Sequence, residues 1–280
     1  MTITSEYIEI IKHIARTIEI PAIQKIFFPD YNINKISKKS NFGAIELEDG
    51  TIGVIYINLS EKVKERGSNT DPMEFVGMNI FDLAKKFSSS DKFEKTIGLG
   101  AINAISQYIF KKSDFQFDLA TDSLGLVDLN SKDKVGMVGF FPPLVKIIEE
   151  LDIPLVVIEL NMNLVQTTEK WEVTLDSNRL KECNKVLITS TTVLNSTVDS
   201  ILEKCSHAEK ISMVGPTAGF LPDPLFKRNI DVIGSTFIHD SNLFMELITQ
   251  NKRWGPSTRK YCIQRKNYDG FVSLLKKVTR

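Results

Sequence analysis

Soft metal ligands are scarce in this sequence. Its cysteines are Cys183, Cys205 and Cys262, and its histidines are His13, His207 and His239. Cysteines so dispersed build no disulfide framework, and none is spaced from another as a Cys-x-x-Cys metal-ligand pair. That usage fits a reducing, cytoplasmic compartment. Charge of one sign is lacking too, since basic and acidic residues both total 35. Without the basic excess that neutralises phosphates, nucleic acid is not an expected partner. The local basic run of Lys252, Arg253, Arg259, Lys260, Arg265 and Lys266 reads as a solvated face. No stretch approaches the roughly 18 apolar residues of a membrane span. The N-terminus, interrupted by Glu6, Glu9, Lys12 and His13, has no signal-peptide core. No membrane partner is expected. Walker loops, Gly-x-Ser-x-Gly elbows and His-Glu-x-x-His helices are also absent.

What remains is an ordinary folding composition, 42% apolar and 25% charged over 280 residues, a length that favours two domains. Ile3, Tyr7, Ile10, Ile11, Ile14 and Ile18 recur at helical spacing and end before Pro21. A strand follows over 22–28. Two β-rich runs, 41–48 and 51–58, flank Asp49-Gly50, whose positive-φ tolerance predicts a tight hairpin. A polar loop over 62–71 and helices over 73–87 and 92–110 complete an α+β leader domain, 1–115. Residues 116–133 read as a linker. The carboxylates Asp114, Asp118, Asp122 and Asp128 in and beside it lack the glycine of a calcium loop and read as solvated.

Over 134–280 the rhythm changes to short apolar strands alternating with helices. Strands are expected at 135–140, 153–160, 185–189, 210–214 and 230–234. Helices are expected at 143–151, 177–183, 193–204, 223–227 and 241–250, with a final edge strand at 258–266. Strands apolar on both faces and joined by helices predict a Rossmann-like, doubly wound parallel sheet.

Such sheets bind ligands beyond the carboxyl ends of their strands, where strand order reverses. Four segments qualify. In the first, Gly139, Phe140 and Pro142 lead into a helix. It is no Gly-x-Gly-x-x-Gly fingerprint, and its two prolines remove N–H donors that a phosphate cradle uses. The second, Thr189 to Thr197, includes Thr191, Thr192 and Asn195, more hydroxyls and amides than helix capping requires. The third is Gly215-Pro216-Thr217. The fourth is Gly234-Ser-Thr236 with His239-Asp240, in which His239 is an acid–base candidate oriented by Asp240 or Glu159, against a plain structural role. Glu159 also ends an apolar strand where a ribose-binding acid would lie.

In order along the chain, VGMVGFFPPL, VVIEL, VLITSTTVLNSTVDSIL, MVGPTAGFLPDPLF and IDVIGSTFIHD resemble a heavy-metal chelation domain family of unknown function. Upstream, FGAIELEDGTIG and TIGLGAINAISQY resemble its leader domain, which is similar in fold to the enolase N-terminal domain. The resemblance implies a Rossmann-like domain, a cleft shared with the leader, and a role with a metal ion or a metal-containing cofactor. Matching positions are Asn103, Gly139, Glu159, Thr189, Thr192, Asn195, Thr197, Gly215, Pro216 and Gly234, with Thr217 replacing an expected serine. These residues offer no thiol or imidazole, so oxygen ligands or a pre-chelated metal fit better. The leading expectation is a small anionic or metal-bearing ligand held in an inter-domain cleft. The alternatives are a transferase or lyase using a nucleotide-type cofactor, and a non-catalytic sensor or scaffold. A homo-oligomer is compatible with either class.

Overall fold

The computed structural model describes residues 1–31, 41–120 and 127–279. Asp122 and part of the expected linker lie outside them. Helix α1 (Ile3–Ala15) is capped by the Thr2 side chain and buries Ile3, Tyr7, Ile10, Ile11 and Ile14, the apolar stripe of its sequence. Strands β1 (Ile23–Phe27), β2 (Phe42–Leu47) and β3 (Ile52–Tyr56) form an antiparallel sheet in that order. The β2–β3 connection is longer than a two-residue turn. Leu47 N–H reaches Thr51 C=O, Gly50 N–H reaches Leu47 C=O, and among the turn residues only Gly50 takes a positive φ (+77°). That is the three-residue hairpin loop with a left-handed glycine.

The expected polar loop over 62–71 is instead helix α2 (Glu61–Asn69), opened by the Ser60 cap and burying Val63 and Gly67. Two buried positions in nine leave almost no apolar period to read. The expected helix over 73–87 is also divided. Pro72–Phe75 is a 3₁₀ turn, and Asn79 caps a new helix, α3 (Ile80–Lys85). Helix α4 (Lys92–Lys112) is buried on nearly all sides, from Phe93 through Phe110. It therefore forms the axle of the leader. One face of the small sheet, with Ile45 and Ile55, joins its core, while Ala44, Ile52 and Val54 pack from the other face onto helix α9 (Ser241–Thr249).

The large sheet has eight strands in the order β11-β10-β9-β8-β4-β5-β7-β6. These are β4 (Val135–Val138), β5 (Leu155–Ile158), β6 (Gln166–Thr167), β7 (Trp171–Thr174), β8 (Lys185–Thr189), β9 (Lys210–Val214), β10 (Val232–Ile238) and β11 (Thr258–Gln264). Strands β4, β5, β7, β8, β9 and β10 run parallel, and β6 and β11 are antiparallel edges. In order of appearance the parallel strands stand 3-2-1-4-5-6, the doubly wound order that reverses direction between β4 and β8. Strand β7 and its hairpin partner β6 escaped the sequence reading because Val173 alone is buried in β7 and both β6 residues are exposed. Both faces of the central strands are covered. Leu155, Val157 and Leu187 join one core, while Val156, Ile158, Val186 and Ile188 join the other.

Connections follow the alternation, with helices α5 (Pro142–Glu150), α6 (Thr191–Leu194), α7 (Val198–Lys204), α8 (Asp223–Phe226) and α10 (Phe271–Val278). The single helix expected over 193–204 is broken. Ser196 adopts φ +61°, a left-handed conformation that separates α6 from α7. The core of the leader is continuous with one face of the large sheet. Phe115 and Phe117, at the expected linker, pack with Phe110, Tyr261 and Tyr268, and Asp118 forms a β-bridge with Cys262.

Candidate functional site

The reversal point between β4 and β8 opens into a crevice of about 490 Å³. Gly139, Phe140, Glu159, Thr189, Thr191, Thr192, Asn195, Thr197, Gly215, Pro216 and Thr217 all line it. Pro142 and Asn103 do not. The leader contributes Asn41, Phe42 and Tyr56 from its hairpin. In the sequence these three are marked by the hairpin alone, which does not tell which of its faces meets a partner.

Each wall has a local cause. Gly139 leaves β4 at φ +91°, and a Cβ there would stand 3.1 Å from Thr189 Cγ2, so the ends of β4 and β8 meet closely. Its N–H goes to Ile158 C=O at 2.9 Å. The next N–H, of Phe140, donates to Glu159 Oε1 at 2.6 Å, and Leu160 N–H donates to Oε2 at 3.0 Å. At the first strand–helix turn the Gly139 N–H is thus spent on a backbone carbonyl and the Phe140 N–H on the chain's own carboxylate, and Pro142 and Pro143 have none to give.

The hydroxyl-rich second segment is largely satisfied within itself. Thr192 Oγ1 donates to Thr189 C=O at 2.7 Å, and Ser190 and Thr217 hydroxyls share a bond of 3.0 Å. Asn195 Oδ1 accepts from Thr197 N–H and Oγ1 at 3.1 and 2.7 Å. These bonds knit the β8 and β9 loops into a fixed wall. Ser190 and Thr217 are buried, whereas Thr191 is half-exposed toward the opening.

Asn103 acts from behind that wall. It is 1% exposed, and its Nδ2 donates to Val54 C=O at 2.9 Å and Thr217 C=O at 3.2 Å. One turn on, Gln107 Nε2 donates to Gly219 C=O at 2.7 Å, while Ser106 Oγ accepts from Leu221 N–H at 3.0 Å. Tyr7 of α1 donates to Leu221 C=O at 3.0 Å. The leader therefore grips 217–221 with four side chains, a contact set that no local pattern in α4 announces.

Among the described crevice-lining residues Glu159 carries the one formal charge. Burial pushes the phenol of Tyr56 above its usual value, and the Glu159 charge adds to that. His239 and Asp240 stand apart from this chemistry. His239 lines a different cavity with Asp49 and Lys111, and Asp240 accepts from Leu243 N–H as the cap of α9. Glu159 thus does not orient His239. Gly234 takes part through its carbonyl, which accepts from Gly215 N–H at 3.1 Å.

A family model described as "Putative heavy-metal chelation", DUF364, matches residues 122–267, more than half of the chain. The chain belongs to the DUF364 family. A second model with the same description, DUF4213, matches residues 22–106 of the leader. An uncharacterized protein of Methanocaldococcus jannaschii, MJ0500, is 29% identical over 218 residues, 75% of this chain and 80% of its own. Two solved DUF364 structures of unknown function share the fold at 19% identity. That from Pyrococcus horikoshii has a TM-score of 0.68 over 94% of this chain and 100% of its own, and that from Desulfitobacterium hafniense 0.65 over 93% and 98%.

The donor set of this DUF364 chain does not fit chelation of a heavy metal by its own thiols or imidazoles. Among the described residues no three His, Cys, Asp or Glu side chains are grouped to hold an ion. Burial pushes the Cys183 and Cys205 thiols up to about 11 and about 12, so both stay protonated and poor as ligands at neutral pH. Cys262 is buried as well. Among the described residues no helix is long and apolar enough to cross a membrane.

Proposed function

We propose that the β4–β8 crevice, walled on one side by the leader hairpin, binds a small ligand without net negative charge, and that a metal reaches it as part of a preformed complex. The observation that carries this reading is the convergence of the loops after β4, β5, β8 and β9 on one cavity, where Glu159 carries the only formal charge among the described lining residues. Of the two ligand types expected from sequence, the metal-bearing one suits that charge. Among the described lining residues an anion meets a carboxylate and no cation, at a helix entrance where the Phe140 N–H is taken and two prolines have none to give.

The test is a thermal-shift screen of metal chelates, tetrapyrroles and nucleosides against wild type and Thr191→Trp, which fills the crevice from its half-exposed wall. A compound that raises the melting temperature of wild type and leaves the variant unmoved supports the site. Silence across the screen, or equal shifts in both proteins, refutes it.

A second reading, a transferase or lyase with a nucleotide-type cofactor, is favoured by the strand order and by Glu159 at the end of the second parallel strand.

A further inference from the structure

We infer that the crevice recognises an unphosphorylated ribonucleoside-type ligand, with the Glu159 carboxylate accepting from the vicinal diol. The inference rests on the proposal that this crevice is the ligand site, and it follows the second reading, a nucleotide-type ligand, in place of the metal-bearing one. In the doubly wound dinucleotide fold two devices share the work. Backbone N–H groups after the first strand hold phosphate, and an acid at the end of the second strand, about 20 residues on, holds ribose hydroxyls. This chain keeps the second device and dismantles the first.

Glu159 follows β5, the second parallel strand, twenty positions beyond Gly139. Both its oxygens are fixed by backbone donors, Phe140 N–H and Leu160 N–H, which set the carboxylate at the cavity wall. A carboxylate has about four acceptor sites, so two remain for a diol. At the first strand–helix turn, phosphate is left the Phe141 N–H alone. Gly139 N–H is taken by Ile158, Phe140 N–H by Glu159, and two prolines follow Phe141. The short helix α6 has a single turn, and the described lining residues include no lysine or arginine.

The rest of the cavity suits a planar base. Phe42, Tyr56, Phe140 and Phe141 line it, with the Phe42 and Tyr56 rings 5.7 Å apart and tilted at 60°. Aromatic walls, one carboxylate and hydroxyl groups together describe a heterocycle joined to a diol.

Isothermal titration calorimetry of the full chain with adenosine, guanosine, cytidine and uridine, with their 2′-deoxy forms and with their 5′-monophosphates, decides the matter. At least one ribonucleoside should bind. Its 2′-deoxy form should bind about tenfold or more weaker, the scale of a lost charge-assisted hydrogen bond, and its 5′-monophosphate should also lose about tenfold. Glu159→Gln should bring the ribo-to-deoxy ratio close to one, a readout that general loosening of the crevice would not produce. Monophosphates that bind as well as nucleosides, deoxy forms that bind equally, or no binding at all would overturn the inference. If nucleosides fail while another screened compound binds wild type and not Thr191→Trp, the crevice stands and the nucleoside class falls. If a nucleoside binds Thr191→Trp as tightly as wild type, both fall together.

Discussion

Replacing Asn103 with alanine tests whether the leader shapes the crevice wall. Thr51 C=O and Asn41 C=O accept the ladder bonds of Leu47 and Ile57, so by alternation Val54 is a non-hydrogen-bonded pair of the β2–β3 ladder. Its carbonyl points off the free edge of β3, where Asn103 supplies the donor. The same Nδ2 holds Thr217 C=O of the crevice. Alanine withdraws both bonds, each worth about 1 kcal/mol net, and leaves buried acceptors that cost about 1–3 kcal/mol apiece if they stay dry. Asn103 Oδ1 has no partner, so its removal offsets part of the loss. The expected sum is about 2–3 kcal/mol. For a chain of this size that lowers the melting temperature by about 2–4 °C per kcal/mol. Urea unfolding of wild type, Asn103→Ala and Asn103→Leu separates hydrogen bonding from volume. Leucine fills the space without donating and should resemble alanine. An alanine variant within about 0.5 kcal/mol of wild type, or a leucine variant restored to wild-type stability, would refute the staple.

Three further outcomes are expected. Gly139→Ala forces an L-residue to φ +91° with its Cβ 3.1 Å from Thr189, so a loss of about 1–3 kcal/mol should appear in denaturant unfolding. Burial raises the Asp223 carboxyl despite bonds from Tyr268 and Phe271, so the folded chain gives up this proton at higher pH than the unfolded chain. Stability from this group is full below the unfolded carboxyl range and falls as pH rises through the folded value, and Asp223→Asn should flatten that part of the stability profile. Cys183, Cys205 and Cys262 are buried and reduced, so a thiol-specific chromophore should stay silent with the native protein at neutral pH and count three thiols in denaturant; rapid native reaction would contradict this.

Much of the architecture is written in local pattern. Val135 to Val138 and Leu155 to Ile158 are apolar at every position, because a strand covered on both faces has no polar side to show. The Thr2-capped stripe of α1 and the Asp49-Gly50 turn are equally local. Where burial is thin the pattern fails. Helix α2 hides two residues and strand β7 one, so neither has a period strong enough to read. The break at Ser196 likewise has no glycine or proline to mark it.

For the site, the sequence by itself determined which loops follow parallel strands, and hence that Gly139, Glu159, Thr189 and Gly215 belong near one sheet edge. Only the tertiary structure decided what those residues do. Asn103 became a brace rather than a contact, His239 went to another cavity, and the Phe140 N–H turned to Glu159 rather than to a guest. Strand-end position follows from short-range alternation of apolar and polar residues. The assignment of a hydrogen bond depends on which distant backbone arrives within about 3 Å, and that is fixed by packing across the whole core.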